Sequence, residues 1–160
     1  MKNSPIPARL LLNPLHLLSL GFGSGLSPYA PGTLGTLVAI PIYWFFINFG
    51  YAIYIPVLLL FTVLGFYLCG HTARALGVHD HGGIVWDEIV GYMITMLFVP
   101  VSWGWIILGF VFFRLFDIWK PWPIRILDQR VHGGVGIMVD DILAGIYAAI
   151  CLQLLTYFII

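Results

Sequence analysis

The sequence predicts an all-α protein: a small polytopic helical membrane bundle with about five membrane-embedded helices and one polar face. Three observations carry that expectation. Hydrophobic residues make up 61% of the 160-residue chain and charged residues only 9%, a balance found in membrane proteins. Three tracts, 34–73, 89–113 and 142–160, contain no Asp, Glu, Lys or Arg. All such residues fall instead in 1–33, 74–88 or 114–141, so charge alternates with stretches long enough to be buried in a bilayer. The length suits one domain covering 1–160, and a net charge of zero predicts no basic surface for nucleic acid.

The opening "MKNSPIPARLLLNPLHLLSL" places basic residues before leucines, as a signal peptide does. Asn13, Pro14 and His16 interrupt its apolar run, however, and no A-x-A site follows. The expectation for 1–33 is an interfacial amphipathic segment ending in a Gly-rich loop. Tract 34–69 is too long for one crossing of a hydrocarbon core about 30 Å thick, and "NFGY" at 48–51 divides it into two helices. In 89–113 the turn signals "PVSWG" at 100–104 favour a hairpin of two short helices over a single span. Tract 142–160 is the last span. Folded this way, the charged tracts meet on one face, which the positive-inside rule makes cytoplasmic. Cys69 and Cys151, inside apolar runs, read as small buried hydrophobes.

Four clusters carry chemistry. In "HDHGGIVWDE" (79–88), Asp87 and Glu88 stand at the head of an apolar helix. Capping explains one carboxylate there, because the helix dipole is positive at that end. Two adjacent ones repel each other unless a cation lies between them, so metal ligation is the stronger reading. His79 and His81 either contact a substrate or serve as plain polar contacts of the loop. In "RLFDIWKPWPIR" (114–125), Arg114, Asp117 and Lys120 share one helical face before Pro121 stops the helix. They form either an ion-pair ladder with snorkelling cations or an acid that holds a cation, flanked by bases that hold an anion. In "HGGVGIMVDD" (132–141), Asp140 and Asp141 repeat the placement of Asp87 and Glu88, as paired acids after a glycine-rich approach at the head of an apolar helix. The fourth cluster, "GFGSGLSPYAPGTLGT" (21–36), offers glycine backbone for close approach to a ligand and Thr33 as the cap of a helix beginning near Leu34.

Hard oxygen ligands without a cysteine cluster suit Mg²⁺: Asp87, Glu88, Asp117, Asp140 and Asp141 are the candidate ligands. Beside them Arg114, Lys120, Arg125, Thr33, Thr36, His79 and His81 are candidates to bind a phosphate-bearing substrate. Asp87, Glu88, Asp117 and Asp141 are the candidates for catalysis, including removal of a proton from water. Where such a bundle meets the headgroup layer, the substrate is a phospholipid with its tails left in the bilayer. Covalent routes fit poorly, since Cys69 and Arg74 are one residue too close for a cysteine-phosphatase loop. A cation transporter is disfavoured because the charges stop at one face. A phosphatase for other lipid phosphates stays open.

The blocks "GFGSGLSPYAPGTLGTL", "HDHGGIVWDEIVG", "FRLFDIWKPWPI" and "HGGVGIMVDDILAG", in this order, resemble the signature motifs of the phosphatidylglycerophosphatase A family of Gram-negative bacteria. That resemblance implies a multi-pass, Mg²⁺-dependent lipid phosphatase of the cell inner membrane. It implies phosphatidylglycerophosphate as substrate, hydrolysed to phosphatidylglycerol and inorganic phosphate. The substrate comes from the resemblance and not from spacing or composition.

Overall fold

The computed structural model describes residues 5–78 and 80–159. His79, expected to contact substrate, lies outside them. The chain begins with a 3-10 turn at Ala8–Leu12, the short helix α1 (Pro14–Ser19) and a second 3-10 stretch at Gly21–Leu26. Asn13 starts α1 by accepting the Leu15 N–H at 2.9 Å, with Pro14 in the first helical position. There follow α2 (Pro31–Ile47), α3 (Tyr51–Leu76), α4 (Trp86–Thr95), α5 (Trp103–Trp119), α6 (Ile124–Arg130) and α7 (Gly133–Ile159). No strand occurs among the described residues.

The expected breaks are present. The chain leaves α2 after Ile47 and enters α3 through Gly50 at φ +79°. Between α4 and α5 it turns through 96–102, and α5 then runs back along α4. The Tyr92 hydroxyl donates to the Ile106 carbonyl at 3.1 Å, while Arg114, late in α5, reaches within 4.0 Å of Glu88 at the head of α4. Both turns lie at one end of the bundle. Trp44 stacks on Trp103 at 5.3 Å between ring centroids, Tyr51 meets Phe98 at 4.9 Å, and the Gln153 amide of α7 donates to the Leu97 carbonyl. The charged tracts occupy the other end.

Helix α7 is the centre of the fold and packs against α3, α4, α5 and α6. Its contact with α4 brings the two backbones together. A Cβ on Gly145 would stand 2.4 Å from the Gly91 carbonyl oxygen, and one on Gly91 would stand 2.8 Å from the Asp141 carbonyl oxygen. Small residues at such a crossing let helix backbones touch without a hydrophobic driving force, as membrane helices require. Thr95, one turn further along α4, directs its hydroxyl to the Gly91 carbonyl at 3.0 Å and lies 3.4 Å from that of Gly145.

Two boundaries differ from expectation. Helix α7 begins at Gly133, so the "GGVG" approach is itself helical and Asp140 and Asp141 lie two turns inside the helix. The glycines are tolerated there because they admit neighbouring backbone. A Cβ on Gly134 would stand 2.1 Å from the Phe66 carbonyl oxygen, an interhelical contact that outweighs weak glycine propensity. Helix α2 begins at Pro31 rather than near Leu34. The capping position belongs to Ala30, at φ 43°, and Thr33 sits in the first turn without a capping bond.

Among the described residues two helices, α3 with 26 residues and α7 with 27, are long and apolar enough to cross a membrane. At 1.5 Å per residue they rise by about 39 and 40 Å. Helix α4 has 10 residues and rises by about 15 Å, half the hydrocarbon thickness, so it does not cross on its own.

Candidate metal and phosphate site

The chain contains seven acidic residues, and all seven line one cavity of about 140 Å³. The loop before α4 supplies Asp80, the first turn of α4 supplies Asp87 and Glu88, and α5 supplies Asp117. Asp128 comes from α6, and Asp140 and Asp141 come from α7. Because α4 and α7 touch at Gly91 and Gly145, the acids one turn before each glycine, Asp87 and Asp141, are brought side by side.

Asp87, Glu88 and Asp141 each offer a carboxylate oxygen within 4.8 Å of the others. Asp87 and Asp141 are 8% and 3% exposed, so water does little to screen them. At that spacing each ionised pair repels by roughly 3 kcal/mol for an effective dielectric near 20. Asp87 Oδ1, Glu88 Oε2 and Asp141 Oδ2 are buried and have no hydrogen-bond partner. Buried ionised oxygens without donors are costly, and a cation held among them removes both penalties. The donor set is entirely carboxylate, and it fits a hard divalent ion.

Asp117, Asp128 and Asp140 are already matched to cations. Arg114 Nη1 makes a short ion pair with Asp117 Oδ2 and approaches Glu88 Oε1. Lys120, which ends α5 in the left-handed conformation at φ 46°, extends its ammonium to Asp140 at 2.5 Å and Asp128 at 2.9 Å. Burial opposes the lysine charge, but the two carboxylates outweigh it and raise the Lys120 pKa above the ordinary lysine value.

The glycine-rich segment reaches the site, with a different partner from the one expected. A Cβ on Gly32 would stand 2.3 Å from Glu88 Oε1 and 3.2 Å from Arg114 Nη1. The first turn of α2 therefore packs directly on Glu88 and Arg114, and this glycine makes room for protein side chains.

Of the expected substrate-contacting residues, Lys120 lines the cavity and Arg114 is tied to it through Asp117 and Glu88. Thr36 is buried and spends its hydroxyl proton on the Gly32 carbonyl at 2.9 Å. Thr33 stays half-buried in the first turn of α2. His81 is buried, takes the Gly83 N–H on Nδ1 at 3.1 Å and faces a neighbouring cavity. Arg125 is exposed on α6 and does not line the acid cavity. Sequence reasoning passed over Asp80 and Asp128 as site residues. The signal was available, since a chain with seven acids, all in tracts assigned to one face, has few other places for them.

The chain was compared with known proteins. The family model described as Phosphatidylglycerophosphatase A matches residues 17–156. Phosphatidylglycerophosphatase A of Escherichia coli (strain K12) is 55% identical over 139 residues, covering 86% of this chain and 80% of the relative. The Haemophilus influenzae protein of the same name is 46% identical over 161 residues, covering 99% of both. A Bacteroides thetaiotaomicron relative, named provisionally as a phosphatidylinositol-3-phosphatase, is 41% identical over 142 residues, covering 84% of this chain and 88% of its own length. No solved structure matches.

Proposed function

The chain belongs to the phosphatidylglycerophosphatase A family, and from that premise we propose that it hydrolyses phosphatidylglycerophosphate at the acid-lined cavity. The products are phosphatidylglycerol and inorganic phosphate. The observation that carries the siting is the gathering of all seven acids about one cavity, three of them with carboxylate oxygens within 4.8 Å of one another.

Asp87, Glu88 and Asp141 would hold Mg²⁺. When bound there, the ion supplies Lewis acidity that offsets charge building on the phosphoryl oxygens. Lys120 presents three N–H donors, of which Asp128 and Asp140 take two, leaving the third for a phosphoryl oxygen. Arg114 holds Asp117 in place at the cavity wall. Asp117, outside the close triad, accepts the proton of the attacking water. As the water oxygen bonds to phosphorus, the bond from phosphorus to the glycerol oxygen breaks, and that oxygen takes up the proton Asp117 has accepted and leaves as a hydroxyl.

The protein is a multi-pass protein of the bacterial inner membrane, with the acid cavity on the cytoplasmic side and residues 5–26 along the interface. Support comes from two helices able to cross a membrane and from the clustering of charge at one end. The substrate reaches the cavity with its acyl chains in the bilayer. A second reading, broader action on lipid phosphomonoesters, is favoured by the name of the Bacteroides relative. Purified protein is assayed for phosphate release from phosphatidylglycerophosphate, phosphatidate and phosphatidylinositol 3-phosphate, with Mg²⁺ and with excess chelator. Release from the first substrate alone, and only with Mg²⁺, is expected. Undiminished turnover in chelator overturns the metal assignment, and equal turnover of all three substrates favours the broader reading.

A further inference from the structure

Beside the acid cavity lies a second, of about 620 Å³, and the two share Gly82. Its walls come from four stretches: Pro5 and Ile6 ahead of the first 3-10 turn, Gly25 to Pro28 after α1, Ala30 and Pro31 at the start of α2, and the loop from His81 to Gly83. Among the described residues that line it there is no Asp, Glu, Lys or Arg. Two of the stretches are joined by direct backbone contact. A Cβ on Gly25 would stand 1.9 Å from the Gly83 carbonyl oxygen, and one on Gly83 would stand 2.5 Å from the Gly25 carbonyl oxygen. The Ile6 side chain packs on Gly83 at the same place, so main chain and one apolar side chain close this wall and the space beside it is held open by the fold. Ser27 fixes the outer side, its hydroxyl donating to the Tyr29 carbonyl at 2.9 Å and accepting the Tyr29 N–H at 3.2 Å.

The two cavities differ in chemistry. The smaller is crowded with carboxylates and suits a phosphoryl group with its counter-ion. The larger carries apolar side chains, one serine, one buried histidine and backbone, a lining suited to a neutral polyol. A phosphomonoester on a glycerol cannot end at phosphorus, because its glycerol must continue into neighbouring space. Among the described residues the two cavities share Gly82 alone, which has no side chain to block that passage. We infer that the second cavity is a headgroup subsite that receives the glycerol bearing the scissile phosphate. This inference rests on the activity proposed above and adds a specificity determinant to it: lipid phosphates whose phosphate sits on a small polyol are accepted through the fit of that polyol.

The test uses the full chain in detergent micelles with Mg²⁺ and two probes, glycerophosphoglycerol and inorganic phosphate, measured by titration calorimetry. Ser27→Trp and, separately, Leu26→Trp place a ring in the second cavity and leave the acid cavity untouched. The expected result is a loss of about tenfold or more in glycerophosphoglycerol affinity in both variants, with phosphate affinity unchanged. Retained phosphate binding also reports an intact fold. Equal glycerophosphoglycerol affinity in wild type and both variants overturns the inference, as does a parallel loss of both ligands. Competition by diacylglycerol but not by glycerophosphoglycerol overturns it too, by making the cavity an acyl-chain site. Phosphate release from phosphatidylglycerophosphate is read separately, so absent hydrolysis with the expected binding pattern overturns the activity and leaves the subsite standing.

Discussion

Gly145 of α7 faces the Gly91 carbonyl of α4 so closely that a Cβ there would stand 2.4 Å from that oxygen. Asp141 and Asp87 each precede one of these glycines by four residues, one helical turn. The bare contact therefore sets the distance between two acids far apart in sequence. Gly145→Val should force α4 and α7 apart, with a stability loss of about 1–3 kcal/mol from overpacking and a larger loss of phosphate release. Gly104→Ala, where a Cβ meets nothing within 4 Å, should change neither. Thermal unfolding in detergent and a phosphate-release assay decide the matter, and equal behaviour of the two variants refutes the spacing role.

The triad has little redundancy, because each member supplies an oxygen that nothing else satisfies. Asp87→Asn and Asp141→Asn should each slow phosphate release on the order of a thousandfold, the equivalent of several kcal/mol of charge stabilisation. Since the shape is preserved, both variants should remain folded by circular dichroism. Activity within a few-fold of wild type in either variant would remove that residue from the metal set.

A cation that binds only the folded protein must stabilise it. Mg²⁺ at about 100 times its dissociation constant should add about 2.7 kcal/mol, seen as a rise in the unfolding midpoint. Chelator should reverse the rise, and Asp141→Asn should abolish it. An equal Mg²⁺ response in that variant would place the ion elsewhere.

Lys120 joins α5, α6 and α7 through Asp128 and Asp140. Its side chain is 26% exposed, so removing it should cost near the low end of the range for a broken buried pair, about 3 kcal/mol. Lys120→Met should also raise KM, whereas Asp128→Asn should retain the lysine and lose less activity. Equal kcat and KM for Lys120→Met and wild type would exclude a phosphate contact.

Topology is open to direct labelling. In a Cys151→Ser background, where Cys69 is buried, Gly50→Cys and Ser102→Cys should react with an impermeant thiol reagent added from the periplasmic side. Arg125→Cys, exposed on α6, should react only from the cytoplasmic side. Labelling of Ser102→Cys and Arg125→Cys from the same side would contradict the α4–α5 hairpin as a membrane element.

Much of this protein is legible in its sequence. The break at 48–51, the turn within 89–113 and the confinement of acids to two tracts follow from local chemistry, because turn residues and charges act where they stand. Those features are enough to draw Asp87, Glu88, Asp117, Asp140 and Asp141 to one face. Tertiary structure alone decided how the five divide. Asp87, Glu88 and Asp141 form the close group because two glycines let α4 and α7 touch, while Arg114 and Lys120 draw off Asp117 and Asp140. It also placed the glycine-rich segment on Glu88, left Arg125 at the surface and started α7 at Gly133, nine residues before the last apolar tract. Each depends on contact between segments distant in the chain, and the free energy of such contacts comes from packing and charge pairing that no local pattern records.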